Sequence, residues 1–212
     1  MKYIFALALA LGYIQAEAAP IPAKVNLLVC TAPSPYALSR QKVLKYWDIA
    51  QKQILQEINV SVSRVSLRVR PCNLPSDYQE LYSGREFKRI MRLFAPNVLK
   101  KNVLNLAIIP GITATGSNTR GIGGVTNGVC GRGYSDNLSV AAIPALSEWG
   151  ENKNILAQTA MMHELAHNLG CYHSFEMPVT MMYPDPLGWA YRHGPLHFGE
   201  ACKNEVVECY QL

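Results

Sequence analysis

Hydrophobic residues along the chain recur with two different periods, and the switches between them mark out the elements. Val25 to Cys30 is a short, nearly unbroken apolar run suited to a buried strand, and Pro33 and Pro35 end it. From Ser39 to Ile58 the apolar positions are Val43, Trp47, Ala50, Ile54 and Ile58, in steps of three or four, which predicts an amphipathic helix. Val65, Leu67 and Val69 then alternate with Ser66, Arg68 and Arg70, the period of a half-buried strand.

Further along, Ser83 followed by Glu86 makes a capping box, and Phe87, Ile90, Met91 and Phe94 continue at helical spacing until Pro96. Val103 to Ile109 reads as another buried strand. Residues 111–136 are rich in Gly, Ser, Thr and Asn, and read as loops around an edge strand. Ser139 to Ile143 is one more strand. Asn154 to Leu169 contains no Pro or Gly and many Ala, Leu and Met residues, so a helix is expected there, stopped by Gly170. Strands alternating with helices argue for an α/β fold with long helices covering a sheet.

Composition limits the class. With 212 residues and 49% hydrophobic positions, the chain suits one globular domain and excludes a disordered, collagenous or coiled-coil protein. Residues 1–18 read as a secretory signal: Lys2, an apolar run from Ile4 to Ile14, then Ala16-Glu17-Ala18, with cleavage expected after Ala18. The run is too short to span a bilayer, which takes about 20 residues. A single domain over residues 19–212 is expected, secreted and extracellular, not bound to a membrane, and monomeric.

The net charge of +5 comes from dispersed residues such as Arg64, Arg68, Arg70, Arg85, Lys88, Arg89 and Arg92. These read as solvated faces of a strand and a helix, and no interleaved aromatic pattern suggests a nucleic-acid partner. The six cysteines, Cys30, Cys72, Cys130, Cys171, Cys202 and Cys209, suit disulfides in an oxidising compartment and allow 15 pairings. Asn59 and Asn137 open glycosylation sequons.

The chemistry is concentrated in the last predicted helix. His163-Glu164-Leu165-Ala166-His167 is followed by Gly170 and His173. Residues four apart lie about 40° apart around a helix and one turn along it, so His163 and His167 can reach one ion. Gly170 permits a turn that brings His173 back as a third nitrogen ligand. Three imidazoles leave a tetrahedral zinc one open position, as in catalytic rather than structural sites. Glu164, beside the ligands, suits a general base and acid. His193 and His197 are also four apart, but Gly194 and Pro195 break a helix between them, so they read as loop residues.

His163-Glu164-x-x-His167-x-x-Gly170-x-x-His173 with a downstream methionine resembles the metzincin zinc peptidases. The resemblance implies one catalytic Zn2+ and a mixed, twisted five-stranded sheet. It also implies an upper subdomain over residues 19–170 and a small irregular lower one over 171–212. Val179 to Pro184 fits the Met-turn of that family, in two registers. Met-Tyr-Pro aligned as in matrixins selects Met182, with which Pro184 and Ser174 agree. Met-x-Tyr aligned as in astacins and serralysins selects Met181 and makes Tyr183 a candidate ligand and oxyanion donor.

Gly121 to Val125 before Cys130, and His197-Phe198 before Cys202, are similar to elements of the adamalysin and reprolysin branch, including tick metzincins. That likeness implies a Cys130–Cys202 disulfide, with Cys30–Cys72 and Cys171–Cys209 beside it. The resemblance to metzincins in general implies that a protein or peptide substrate lies along the edge strand near Gly123 and Gly124, with Trp189 and Tyr191 lining a pocket. The expected activity is zinc-dependent endopeptidase cleavage. The alternative is a secreted zinc-binding, toxin-like protein that does not turn over substrate.

Overall fold

The computed structural model describes residues 19–30, 39–71, 103–110, 124–127, 138–143, 153–184 and 186–211. In chain order the elements are β1 (Ile21–Cys30), α1 (Arg40–Ile58), β2 (Val60–Arg70), β3 (Leu104–Pro110), β4 (Gly124–Asn127), β5 (Leu138–Ile143), α2 (Lys153–Leu169), α3 (Pro186–His193) and α4 (Glu200–Gln211). The predicted helix from Ser83 to Phe94 lies outside the described residues.

The strands form one sheet in the order β2-β1-β3-β5-β4. The first four of these run parallel, and β4 pairs antiparallel with β5 at the end of the order. Parallel strands covered on both faces read as continuous apolar runs, and β1 and β3 show why. Val25, Leu27 and Val29 lie in register with Leu104, Leu106 and Ile108, and all six join one core cluster with α1 and α2. The intervening Leu28, Ala107 and Ile109 are buried as well.

Helix α1 begins where Ser39 caps it, its hydroxyl accepting from the Lys42 amide at 3.3 Å and its carbonyl from the Val43 amide at 3.1 Å. Val43, Tyr46, Trp47, Ala50, Ile54 and Ile58 form its buried face. The helix stops at Asn59, which adopts the left-handed conformation at φ 55°, and asparagine tolerates it better than most side chains. The Asn59 carbonyl accepts from the Ile21 amide at 3.0 Å, tying the start of β1 to the turn into β2.

Strand β2 departs from the expected alternation. Val60 and Val62 are buried, but Val65 and Val69 are 56% and 40% exposed. Val25 pairs with Arg64 and Asn26 with Ser66, so Val65 is an extra, unpaired residue in a bulge. The bulge displaces Val65 alone: Leu67 and Val69 return to register with the core residues Leu27 and Val29, and Leu67 packs against the core, so a period of two reads the end of the strand but not its inserted residue.

The same register lines up a polar ladder across the sheet. The Ser66 hydroxyl donates to Asn26 Oδ1 at 2.6 Å, Asn26 Nδ2 donates to Asn105 Oδ1 at 3.0 Å, and the Asn168 amide in α2 donates to the Asn105 carbonyl at 3.5 Å. Asn26, Asn105 and Asn168 are all buried, so each bond offsets a desolvation cost that an unpaired amide would carry in full. The ladder ends on the residue after His167, so it also anchors the helix that carries the site.

Helix α2 contacts β3, β4 and β5 on one side and α1, α3 and α4 on others. Its residues are accordingly buried nearly all round, from Leu156 through Leu169, including the polar Thr159, His163, Glu164 and Asn168. Among the described residues, no helix is long and apolar enough to cross a membrane.

Candidate metal centre

The C-terminal end of α2 directs the chain back toward its own histidines. The Gly170 amide donates to the His167 carbonyl at 3.1 Å and the Cys171 amide to the Ala166 carbonyl at 3.0 Å, the paired bonds of a Schellman ending. Gly170 sits at φ 117°, a backbone conformation that residues with a Cβ rarely adopt. The reversal places His173 beside the two helical histidines.

The three Nε2 atoms converge. His167 Nε2 and His173 Nε2 lie 3.1 and 3.3 Å from His163 Nε2. Tetrahedral coordination at a Zn–N distance of about 2.0–2.1 Å puts neighbouring nitrogens about 3.3–3.4 Å apart, so the spacing suits one ion. Among the described residues these three form the one group of side chains spaced to hold a metal.

The tautomers decide what the cluster can bind. His163 Nδ1 lies 2.8 Å from the Met181 carbonyl, and His167 Nδ1 lies 2.7 Å from the Cys171 carbonyl. A carbonyl oxygen only accepts, so Nδ1 carries the proton in both rings and each Nε2 presents a lone pair. Two bare nitrogens at 3.1 Å repel unless a proton or a cation lies between them. A proton is disfavoured: burial, with the neighbouring His167 adding to it, lowers His163 to about 3. Burial likewise lowers His167 to about 4, and lowers His173. Neutral imidazoles, two of the three oriented by carbonyls, are the donor set of a divalent zinc-type ion, so the residues fit the metal that their spacing implies.

The sequence-predicted methionines form the turn below. The Tyr183 amide donates to the Thr180 carbonyl at 3.1 Å, with Met181 and Met182 between them, and both methionines are fully buried. This turn holds two of the three histidines through its backbone. The Met181 carbonyl accepts from His163 Nδ1, and the Met182 carbonyl accepts from the Ser174 amide, next to His173, at 2.9 Å. Glu164 is buried in α2, adjacent to His163.

Tyr183 and Trp189 are brought together. Their ring centroids lie 6.2 Å apart, and Tyr183 also packs edge-on against the exposed Phe175 at 5.7 Å. Trp189 stacks on His193 at 4.7 Å, with the Arg192 guanidinium 5.5 Å from its centroid. Tyr191 belongs to α3 and Gly124 opens β4, whereas Gly123 lies outside the described residues. His193 and His197 are not brought together, since His197 pairs with Glu57 of α1 at 2.6 Å.

The disulfide expectations need correction. Cys202 is bonded to Cys171, not to Cys130, and Cys171 is therefore not bonded to Cys209. The reason is geometric: the reversal at Gly170 carries Cys171 against the first turn of α4, with 4.7 Å between the Cα atoms of Cys171 and Cys202. Cys30 and Cys209 each take part in a disulfide as well. The segment from Cys171 to Glu176 is tied to α4 twice more. Glu205 accepts from the Tyr172 amide at 2.9 Å, and Glu176 from the Ala201 amide at 3.3 Å.

Helix α3 was not anticipated from the sequence, where Trp189 and Tyr191 enter only as residues lining a pocket. Its signal was Pro186 at the first helical position and Gly194 just past the last, the usual asymmetry of helix ends.

No family model and no curated protein matches the chain. Solved structures do. Metalloproteinase-II from Bacteroides fragilis aligns at a TM-score of 0.57 and 14% identity, over 92% of this chain and 55% of that one. Archaemetzincin from Methanopyrus kandleri aligns at 0.58 and 14%, over 90% of this chain and 96% of that one. A chain of a chaperone–substrate complex aligns at 0.51 and 14%, over 91% of this chain and 34% of its own length. This chain thus spans about half of the Bacteroides protein. At such identity the likeness establishes the fold, which is zincin-like.

Proposed function

We propose that the chain is a secreted zinc-dependent endopeptidase of metzincin type. The observation that carries the reading is the convergence of three imidazole Nε2 atoms, two of them fixed by Nδ1–carbonyl bonds, with a buried glutamate next in sequence to His163. A zinc ion bound there would supply a Lewis acid that polarises a scissile carbonyl and lowers the pKa of water toward neutrality. Glu164 is then the group that accepts a proton at its carboxylate and returns it to the leaving amine.

The surroundings support a peptide substrate. Strand β4 ends the sheet order and is antiparallel to β5, so its outer side suits an extended chain added by backbone hydrogen bonds. Tyr183 and Trp189 offer an apolar wall for a substrate side chain. Of the two turn registers we favour Met182 as the methionine beneath the ligands, because Pro184 and Ser174 agree with the matrixin-like alignment. Export rests on the leader reading of residues 1–18, and a monomer acting on protein, without nucleic acid or membrane, completes the proposal.

The test pairs metal content with cleavage. The purified chain should bind one zinc and cut members of a peptide library, and Glu164→Ala should keep the zinc while losing cleavage. Turnover unchanged in that variant would remove Glu164 from the mechanism. Zinc binding without any cleavage by the wild type would favour the non-catalytic, toxin-like reading.

A further inference from the structure

A carboxylate on α1 closes a hydrogen-bonded path that ends on His163. Glu57 lies in the last turn of α1. Its Oε2 accepts from the Phe198 amide at 2.7 Å, and its Oε1 meets His197 Nδ1 at 2.6 Å. One turn earlier, Gln53 Nε2 donates to the Leu196 carbonyl at 2.7 Å. The segment from Leu196 to Phe198 is thereby fastened to α1.

The Phe198 amide and the His197 carbonyl belong to one planar peptide unit, and in a trans peptide they point in opposite directions. Glu57 holds the amide side. The carbonyl side accepts from the Met181 amide at 2.7 Å, and the Met181 carbonyl accepts from His163 Nδ1 at 2.8 Å. An ionised acceptor makes the first bond of such a chain the strongest and polarises those after it.

We propose that Glu57 is a positioning residue for the metal centre. Its carboxylate fixes the plane of the His197–Phe198 peptide, which seats Met181 and so fixes the ring of His163. The inference rests on the reading of the three imidazoles as zinc ligands. The two halves of the Glu57 contact are not equal. The His197 side chain is 78% exposed whereas that of Glu57 is only 19% exposed, so the bond to the Phe198 amide, not the solvated imidazole, carries the effect.

Zinc affinity of the full chain, measured by competition with a chelator, tests this, together with the visible spectrum of the cobalt-substituted protein and melting of the metal-free form. Glu57→Ala and Glu57→Asp should weaken zinc about tenfold, the lower end of what loss of a ligand's hydrogen-bond partner costs, and should shift the cobalt bands. Glu57→Gln should stay within about threefold of wild type, because its amide oxygen still accepts from Phe198. His197→Ala should leave affinity unchanged. Gln53→Ala should lower the melting temperature of the metal-free chain without moving zinc affinity.

If Glu57→Ala does not fold, Glu57→Asp decides the matter. A wild type that binds zinc, with Glu57→Asp binding it equally and an unshifted cobalt spectrum, overturns the role of Glu57 alone. A wild type that binds no zinc overturns the metal centre and this proposal with it.

Discussion

His163 meets the carbonyl of Met181 through Nδ1 at 2.8 Å, across eighteen residues of chain. The contact shows how the turn at Met181 and Met182 serves the histidines. It is the peptide carbonyl, independent of the methionine side chain, that selects the tautomer of His163. The next carbonyl, of Met182, accepts from the amide beside His173. One turn therefore orients His163 on α2 and locates His173 on the segment that follows it.

Replacement of Gly170 should damage both the fold and the metal centre. At φ 117° an alanine is strained whatever space surrounds it, at a cost of about 1–3 kcal/mol. Gly194, at φ 89° with nothing within 4 Å of an added Cβ, supplies a control. Gly170→Ala should lower the melting temperature and weaken zinc, because His173 depends on the reversal. Gly194→Ala should lower the melting temperature alone. Equal zinc affinity in the two variants would show that the Schellman ending does not place His173.

The Cys171–Cys202 disulfide should stabilise the lower part of the molecule measurably. It closes a separation of 31 residues, for which chain entropy gives about 3–4 kcal/mol. The Cys171 carbonyl also accepts from His167, so the bond holds a ligand's partner in place. A Cys171→Ser/Cys202→Ser double variant should melt lower and bind zinc more weakly. Non-reducing peptide mapping should find Cys171 joined to Cys202, and a Cys130–Cys202 peptide would contradict the fold near the site.

The parts legible in the sequence are those that depend on near neighbours. Ser39 and the apolar spacing to Ile58 gave α1 almost to the residue, and the spacing of His163, His167, Gly170 and His173 gave the histidine cluster, because helix geometry fixes the first two histidines and the local reversal at Gly170 returns the third. Contacts between distant segments left no such signal. Glu57 looks like any polar position on a helix until Phe198 is folded against it. The Cys171 partner depends on where α4 starts relative to the reversal. Val65 was misplaced because a bulge obeys pairing between strands, which a single strand's alternation does not record.

Gly199 has a different reason for being glycine. A Cβ there would collide with the Glu176 carboxylate and come within 2.9 Å of Thr180 Cγ2. Glu176 accepts from the Ala201 amide in the first turn of α4, a favourable place for an anion. Gly199→Ala should therefore cost about 1–3 kcal/mol through overpacking, and Glu176→Ala about 0.5–2 kcal/mol as a lost cap. Because removing the carboxylate also removes the main collision, the double variant should cost less than the sum. A denaturant-based double-mutant cycle measures this, and strict additivity would place Glu176 elsewhere.

Stability of the metal-free chain should fall with acid before any carboxylate titrates fully. Burial lowers His163 from 6.5 to about 3 and His167 from 6.5 to about 4. Between those values and 6.5 the unfolded chain takes up protons that the folded one refuses, so stability is present above about 6.5 and is lost as pH falls. At about 1.4 kcal/mol per unit, the two rings amount to several kcal/mol. Glu205 acts in the opposite sense. Its desolvation, opposed by the bond from the Tyr172 amide and reinforced by Glu176 and Glu208, raises it above 4.5. Its contribution is thus present below 4.5 and lost as pH rises through the folded value, which softens the decline without reversing it. Melting with chelator from pH 8 to 4.5 should show a midpoint that drops steadily below about 6.5. Zinc should raise the midpoint near neutrality by an amount that shrinks in acid, since protons compete for the same three nitrogens. A metal-free midpoint independent of pH over that range would mean that the histidines are not held neutral by burial.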